Sequence, residues 1–252
     1  MFWKNIAPIN ILRYNHVMTV KLPRSMLTMA LLLLFFLLIP AGIFSQDFFN
    51  WSVLGSMFYF AADNGVNSDP APILPSLGGS VSLRLNNFLR LELTEDVYFT
   101  NYEYNYEYGY PMACNPENRS AFVLGFITGI QLTGVIPIGG GITVRVYGGP
   151  AADLRIVLVA IGLNHPNDFT GGIENNARLQ TNAISDYFWG EGRWFMPVAG
   201  AGMDFPINEK FLLGFDLRTW FPVYKLWTND QTPAIDGWRF GAGLRITPRL
   251  GT

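Results

Sequence analysis

Charge is scarce in this chain. Lys, Arg, Asp and Glu make up 14% of its 252 residues, against about 25% in an ordinary soluble domain. Few groups are therefore left to solvate a surface. Cysteine occurs once, which excludes an intramolecular disulfide framework and any cysteine-based metal cluster. Lysine nearly vanishes: after residue 45 only Lys210 and Lys225 remain, and the other bases are arginines. A net charge of −2 offers no basic footprint for nucleic acid. Past residue 45 no stretch is apolar over 18 or more residues, so transmembrane helices are excluded there. What the chain does have is 50% hydrophobic and 15% aromatic residues, which argues against disorder. With them come 26 Gly and 16 Pro, too many for a helical bundle.

The first segment has the form of an export signal. Residues 1–45 hold Lys4, Arg13, Lys21 and Arg24 and no acid. An apolar run from Met26 to Ile39 follows the bases and stops at Pro40. At 14 residues it is short for a membrane span and suits a signal-peptide core. Cleavage is expected after Ser45; translation from Met18 would give the more usual leader MTVKLPRS. An uncleaved anchor is the alternative. The expected division is a signal peptide over 1–45 and a barrel domain over 46–252.

The remainder alternates with a period of two, the strand period. In 88–99, Leu89, Leu91, Leu93, Val97 and Phe99 share one face, and Arg90, Glu92, Thr94 and Asp96 the other. Glu95 breaks the apolar face without an evident reason. In 211–221, Phe211, Leu213, Phe215, Leu217 and Phe221 oppose Gly214, Asp216, Arg218 and Trp220. In 237–246, Trp238, Phe240, Ala242, Leu244 and Ile246 oppose Arg239, Gly241, Gly243 and Arg245. Short turn signals at Asn86-Asn87, 137–141 and 206–210 alternate with long polar loops over roughly 61–74, 101–118, 160–186 and 228–236. Eight strands result, at about 49–60, 75–85, 88–99, 120–134, 141–158, 187–205, 210–226 and 237–248.

This layout predicts an all-β fold: an eight-stranded, antiparallel, up-and-down transmembrane β-barrel. A soluble barrel with its apolar face inward shows the same alternation. Scarce lysine, the export signal, and a polar face mixing Gly with charge favour lipid. Glycine weakens a water-facing strand, whereas a narrow interior must alternate small and large side chains. The phase follows from Arg218, which lies deep in its strand with Asp216 on the same face. Turning that face to hydrocarbon would cost about 2–4 kcal/mol for the arginine alone.

The region 47–250 resembles the small eight-stranded outer-membrane proteins, the OmpW, OmpX and OmpA-barrel group. The last strand, WRFGAGLRITPRL, is similar to the C-terminal assembly signal of that group, with Leu250-Gly251-Thr252 in place of a terminal Phe. The OmpW type is the nearest in pattern. The resemblance implies a cell outer-membrane location with both termini periplasmic, contact with outer-membrane lipid and the barrel-assembly machinery, and no cofactor. It further implies passage of small hydrophobic solutes through an apolar site near the outer end.

Two groups of residues stand out. Arg90, Glu92, Asp204, Asp216, Arg218, Arg239 and Arg245 project into the expected lumen, either as a constriction that controls solutes or as an ion-paired core. For Arg218 the candidate acids are Asp204 and Glu92, besides its strand neighbour. Tyr98, Trp220 and Tyr224 lie inward near the outer end, as an apolar ligand region or as interfacial aromatics. Gly148, Gly149, Pro150 and Pro197 would weaken the wall for a sideways exit. The Tyr-rich stretch 101–110 reads as an extension of the third strand. His165, Asp168 and Ser185 form no recognisable triad, Cys114 is a lone thiol, and no metal site is expected, so the chain is read as a non-enzyme. The expected function is a conduit for small hydrophobic solutes; the alternative is a non-transporting surface barrel that stabilises the membrane or binds partners through its loops.

Overall fold

A strand with a two-residue pattern can present one face to each of two environments. The computed structural model describes residues 49–61, 73–105, 109–114, 121–159, 172, 176–228 and 237–249. The expected signal segment, His165 and much of the expected long loops lie outside the described residues.

The described strands are β1 (Phe49–Ala61), β2 (Ile73–Arg84), β3 (Leu89–Asn105), β4 (Tyr110–Ala113), β5 (Ala121–Gly139), β6 (Ile142–Gly149), β7 (Ala151–Val159), β8 (Val198–Pro206), β9 (Phe211–Trp220) and β10 (Trp238–Pro248). Among the described residues the α-helix α1 (Ala177–Trp189) lies between β7 and β8. All strand pairings are antiparallel, and the sheet closes because β1 pairs with β10 and β3 with β5. The ring has eight wall positions, since β6 and β7 are one strand interrupted at Pro150. Their partners on β5 run without a slip from Leu132–Gly148 to Gly129–Ala151, and Ile130 N donates to Pro150 O at 2.9 Å. β4 lies outside the ring: beyond its last pair with β2, Ser76–Tyr98, β3 runs on and takes β4 as a hairpin partner.

Turn chemistry fixes the short-turn end. Asn86 Oδ1 accepts from Phe88 N at 2.8 Å, and Asn208 Oδ1 accepts from Lys210 N and Phe211 N at 2.7 and 2.9 Å. Gly139, Gly140 and Gly141 all have positive φ, at 103°, 61° and 78°, which only glycine adopts freely. The first and last strands also begin and end here, with Phe49 opposite Leu83 and Pro248 opposite Phe211.

The two faces differ in kind. On β1, Ser52, Leu54, Ser56, Phe58 and Phe60 are buried inside, while Trp51, Val53, Met57 and Tyr59 are each at least 46% exposed outside. Across the barrel the exposed face carries Leu, Ile, Val and aromatics, and the buried face carries most of the Arg, Asp, Ser and Thr. A soluble barrel would have these reversed, so the apolar exterior is a lipid-facing one. Trp51 and Tyr59, eight residues apart on β1, stand near the two ends of this band. The exception is Glu95, which faces outward and accepts a hydrogen bond from its register partner Thr128 at 2.6 Å.

Two strand expectations need correction. Residues 187–197 are not strand: they are the end of α1 and the turns after it, and β8 begins at Val198. Asn176 caps the helix, accepting from Arg178 N and Leu179 N, and Ala177, Thr181, Ile184 and Phe188 line up at helical spacing on its buried side. Strand β9 stops at Trp220 rather than 226, because Phe221-Pro222 leads into a 3-10 turn over Val223–Leu226.

Cysteine placed at 57 should react with a lipid-soluble maleimide in the reconstituted barrel, and cysteine at 56 should resist it. The opposite pattern would mean that the faces are exchanged.

Candidate functional site

The lumen is where the chain concentrates its charge. Nearest the short turns, Arg245 pairs with Glu92 and also reaches Asp216 at 3.0 Å. Arg145 grips Asp204 through Nε at 2.7 Å and Nη2 at 3.0 Å, and it donates to Asp216 through Nη1 and Nη2 at 3.1 and 3.0 Å. The Tyr147 hydroxyl donates to Asp216 at 2.9 Å. Arg218 pairs with Asp96 in two contacts, at 2.5 and 3.1 Å, and donates to Ser56 Oγ at 2.7 Å. Arg239 and Arg155 share Asp153, at 2.5 and 2.6 Å, and the same carboxylate accepts the Tyr98 hydroxyl at 2.9 Å. Each of these ions is buried, so each depends on its partner.

Inward glycines make the room. A Cβ on Gly202 would fall 2.7 Å from Arg145 Nη2 and 2.9 Å from Asp216 Oδ1. One on Gly125 would fall 2.2 Å from the Tyr98 ring. The mixture of Gly with charge on the polar face is thus a packing requirement of a narrow barrel.

Between Arg218–Asp96 and Arg239–Asp153 lies an apolar layer that includes Phe58, Phe60, Tyr98, Ile127, Met196 and Trp220. Phe58 and Trp220 meet edge-on at 5.0 Å between ring centroids, and Phe60 and Tyr98 at 5.4 Å. The guanidinium of Arg218 sits 5.1 Å from the Trp220 ring, and that of Arg239 sits 4.4 Å from Phe60. Beyond this layer α1 rests on the extended wall, with Ile184 and Phe188 against the inward side chains Tyr102, Ala121 and Val123. Arg155 stacks on Phe188 at 4.0 Å.

Of the residues singled out in sequence, Glu92, Asp204, Asp216, Arg218, Arg239 and Arg245 are buried inside the barrel, and Arg90 lies half-buried near the short turns. Arg218 does not pair with Asp204 or Glu92. Those acids are held by Arg145 and Arg245, and Arg218 takes Asp96 instead. Tyr98 and Trp220 belong to the apolar layer and fill it with their own rings. Tyr224 sits apart from them, in the 3-10 turn, with the Arg193 guanidinium 5.5 Å from its ring. Arg145, Asp96, Asp153 and Arg155 are central members that the sequence selection omitted. Asp153 and Arg155 were detectable, because they share one phase of AADLRIVLV while Leu154, Ile156 and Leu158 hold the other. Among the described residues no set of His, Cys, Asp and Glu comes together to hold a metal ion.

Replacing Asp96 by Ala leaves Arg218 buried and unpaired, and should destabilise the barrel by about 3–5 kcal/mol in urea unfolding from lipid vesicles. The double variant Asp96→Leu, Arg218→Met should lose markedly less. Equal losses in the two variants would contradict the pairing.

No protein-family model matches the sequence, and comparison with curated proteins gives no significant match. Solved structures do match. The chain is similar to the N-terminal β-barrel domain of Pseudomonas aeruginosa OprF, at 14% identity over 79% of this chain and 96% of that one, with a TM-score of 0.38. It is similar to Neisserial surface protein A, at 10% identity over 82% and 98%, with a TM-score of 0.47. It is also similar to the outer-membrane protein OprG of Pseudomonas aeruginosa, at 10% identity over 79% and 94%, with a TM-score of 0.43. Closure around eight wall positions with an apolar exterior makes the described chain an eight-stranded barrel of the transmembrane type.

Proposed function

We propose that the protein is an outer-membrane barrel with a sealed lumen, a non-enzymatic surface protein that stabilises the membrane or presents its outer end to partners. The observation that carries this reading is the filling of the interior: ion pairs from Arg245 to Arg239, an interdigitated aromatic layer among them, and α1 against the inner wall beyond. Eight strands leave an interior just wide enough for side chains, and here those side chains are paired or packed. In this reading the short turns and both ends of the barrel domain face the periplasm, and α1 with β4 faces outward.

A second reading, the conduit for small hydrophobic solutes, is favoured by the wall beside Pro150. The β6–β8 ladder ends at Gly149–Val198. Past it, β7 is joined on that side by the bridge Ala152–Phe195 and by two backbone hydrogen bonds, Met196 N to Ala151 O and Asp153 N to Trp194 O. Beside this gap Pro150 leaves the ladder to β5 one donor short, and the Pro197 carbonyl is turned away to accept from Phe221 N. Ala151, Met196 and Val198 at this edge belong to the apolar layer, so an opening would lead from Trp220 and Tyr98 straight into lipid.

Reconstitution separates the two. A sealed barrel gives no conductance in planar bilayers and no uptake of a small apolar dye above empty liposomes. Dye uptake that slows in Trp220→Asp, with the barrel still folded, would replace the sealed reading by the conduit.

A further inference from the structure

At the short-turn end the lumen opens into a cavity of about 160 Å³. That is far above the ~10–15 Å³ that a single water requires, so a tetrahedral anion fits with room for water. Four arginines border the cavity, Arg90, Arg145, Arg245 and Arg249, with only two acids, Glu92 and Asp204. Both acids are already engaged: Asp204 accepts twice from Arg145, and Glu92 accepts from Arg245 and from Thr133. Arg145 and Arg245 are satisfied in turn, since each also holds Asp216.

Two guanidinium groups remain. Arg90 donates no hydrogen bond and forms no ion pair among the described residues, although Asp204 and Glu92 lie within electrostatic reach. Arg249 donates from its side chain only to Asn208 O among the described residues, at a long 3.4 Å. The hydroxyls of Ser82 and Thr247 border the same space. Arg90 is held half-buried there by its place on β3, opposite Arg84 of β2 and Thr133 of β5. A confined space with two uncompensated guanidinium groups, hydroxyl donors and no uncommitted carboxylate is built for an oxyanion, because guanidinium presents paired donors that match two oxygens of one anion.

We propose that this vestibule binds a phosphate-type oxyanion, with Arg90 as the principal ligand and Arg249 as the second. Its opening at the short-turn face makes the anion reachable from two sources, free phosphate or the phosphate of a lipid headgroup. The reading is independent of whether the rest of the lumen conducts.

Calorimetric titration of the folded full-length barrel in neutral detergent at low salt tests it, with inorganic phosphate in one arm and short-chain phosphatidylglycerol in the other. Saturable binding of at least one probe is expected, weakened at least tenfold in Arg90→Gln and in Arg249→Gln. Arg84→Gln, whose side chain reaches Asn87 and does not border the cavity, should bind as the wild type does. Binding of phosphate alone assigns a soluble anion, and binding of the lipid alone assigns a headgroup. No saturable binding of either probe, or equal affinity in folded Arg90→Gln, overturns the proposal.

Discussion

Hydrocarbon cannot hydrogen-bond a peptide group, and everything else in this barrel follows from that. A sheet in lipid must close on itself so that no edge is left unpaired. Here closure falls between β1 and β10 and between β3 and β5, from Phe49 through Pro248, with β4 an added hairpin strand. Closure then forces a division of side chains, because successive residues must face lipid and lumen in turn. At Pro150 the ladder to β5 is short of one donor, while the proline carbonyl still accepts from Ile130 N.

A narrow lumen poses the opposite problem. Charges there are cut off from bulk water, and an unpaired one would cost several kcal/mol. The chain answers with shared carboxylates. Asp216 serves Arg145, Arg245 and Tyr147, and Asp153 serves Arg155, Arg239 and Tyr98. Arginine suits this arrangement better than lysine, since one planar group can reach two acids at once. That accounts for the near absence of lysine from the barrel. Aromatic rings between the charged groups take up the remaining space and lie against the guanidinium faces.

The wall was legible in the sequence because its signals are local. Alternation in FLLGFDLRTWF and WRFGAGLRI gives the phase of β9 and β10, and the Asn and Gly turns give the hairpins. The helix was missed because Tyr187, Phe188 and Trp189 look like strand residues next to the true strand. The capping Asn176 and the spacing of Ala177, Thr181, Ile184 and Phe188 carried the helical signal. The ion pairs were less legible still. Arg218 and Asp96 are 122 residues apart, and their meeting depends on the height each reaches on its own strand. Phase says that both point inward, but only register across the ring decides which acid meets which arginine. Arg90 was visible as an inward residue, but that Glu92 and Asp204 beside it are engaged by Arg245 and Arg145 follows only from register across the ring.

On the function proposed above, the lumen beyond the short-turn vestibule is a paired ionic core closed to solvent and lipid. Its most direct test is arginine-specific modification of the bilayer-reconstituted protein, read site by site by mass spectrometry. Arg218 and Arg239 should stay unmodified while the exposed Arg84 and Arg249 react. Modification of Arg218 and Arg239 at the rate of Arg84 would contradict a sealed core.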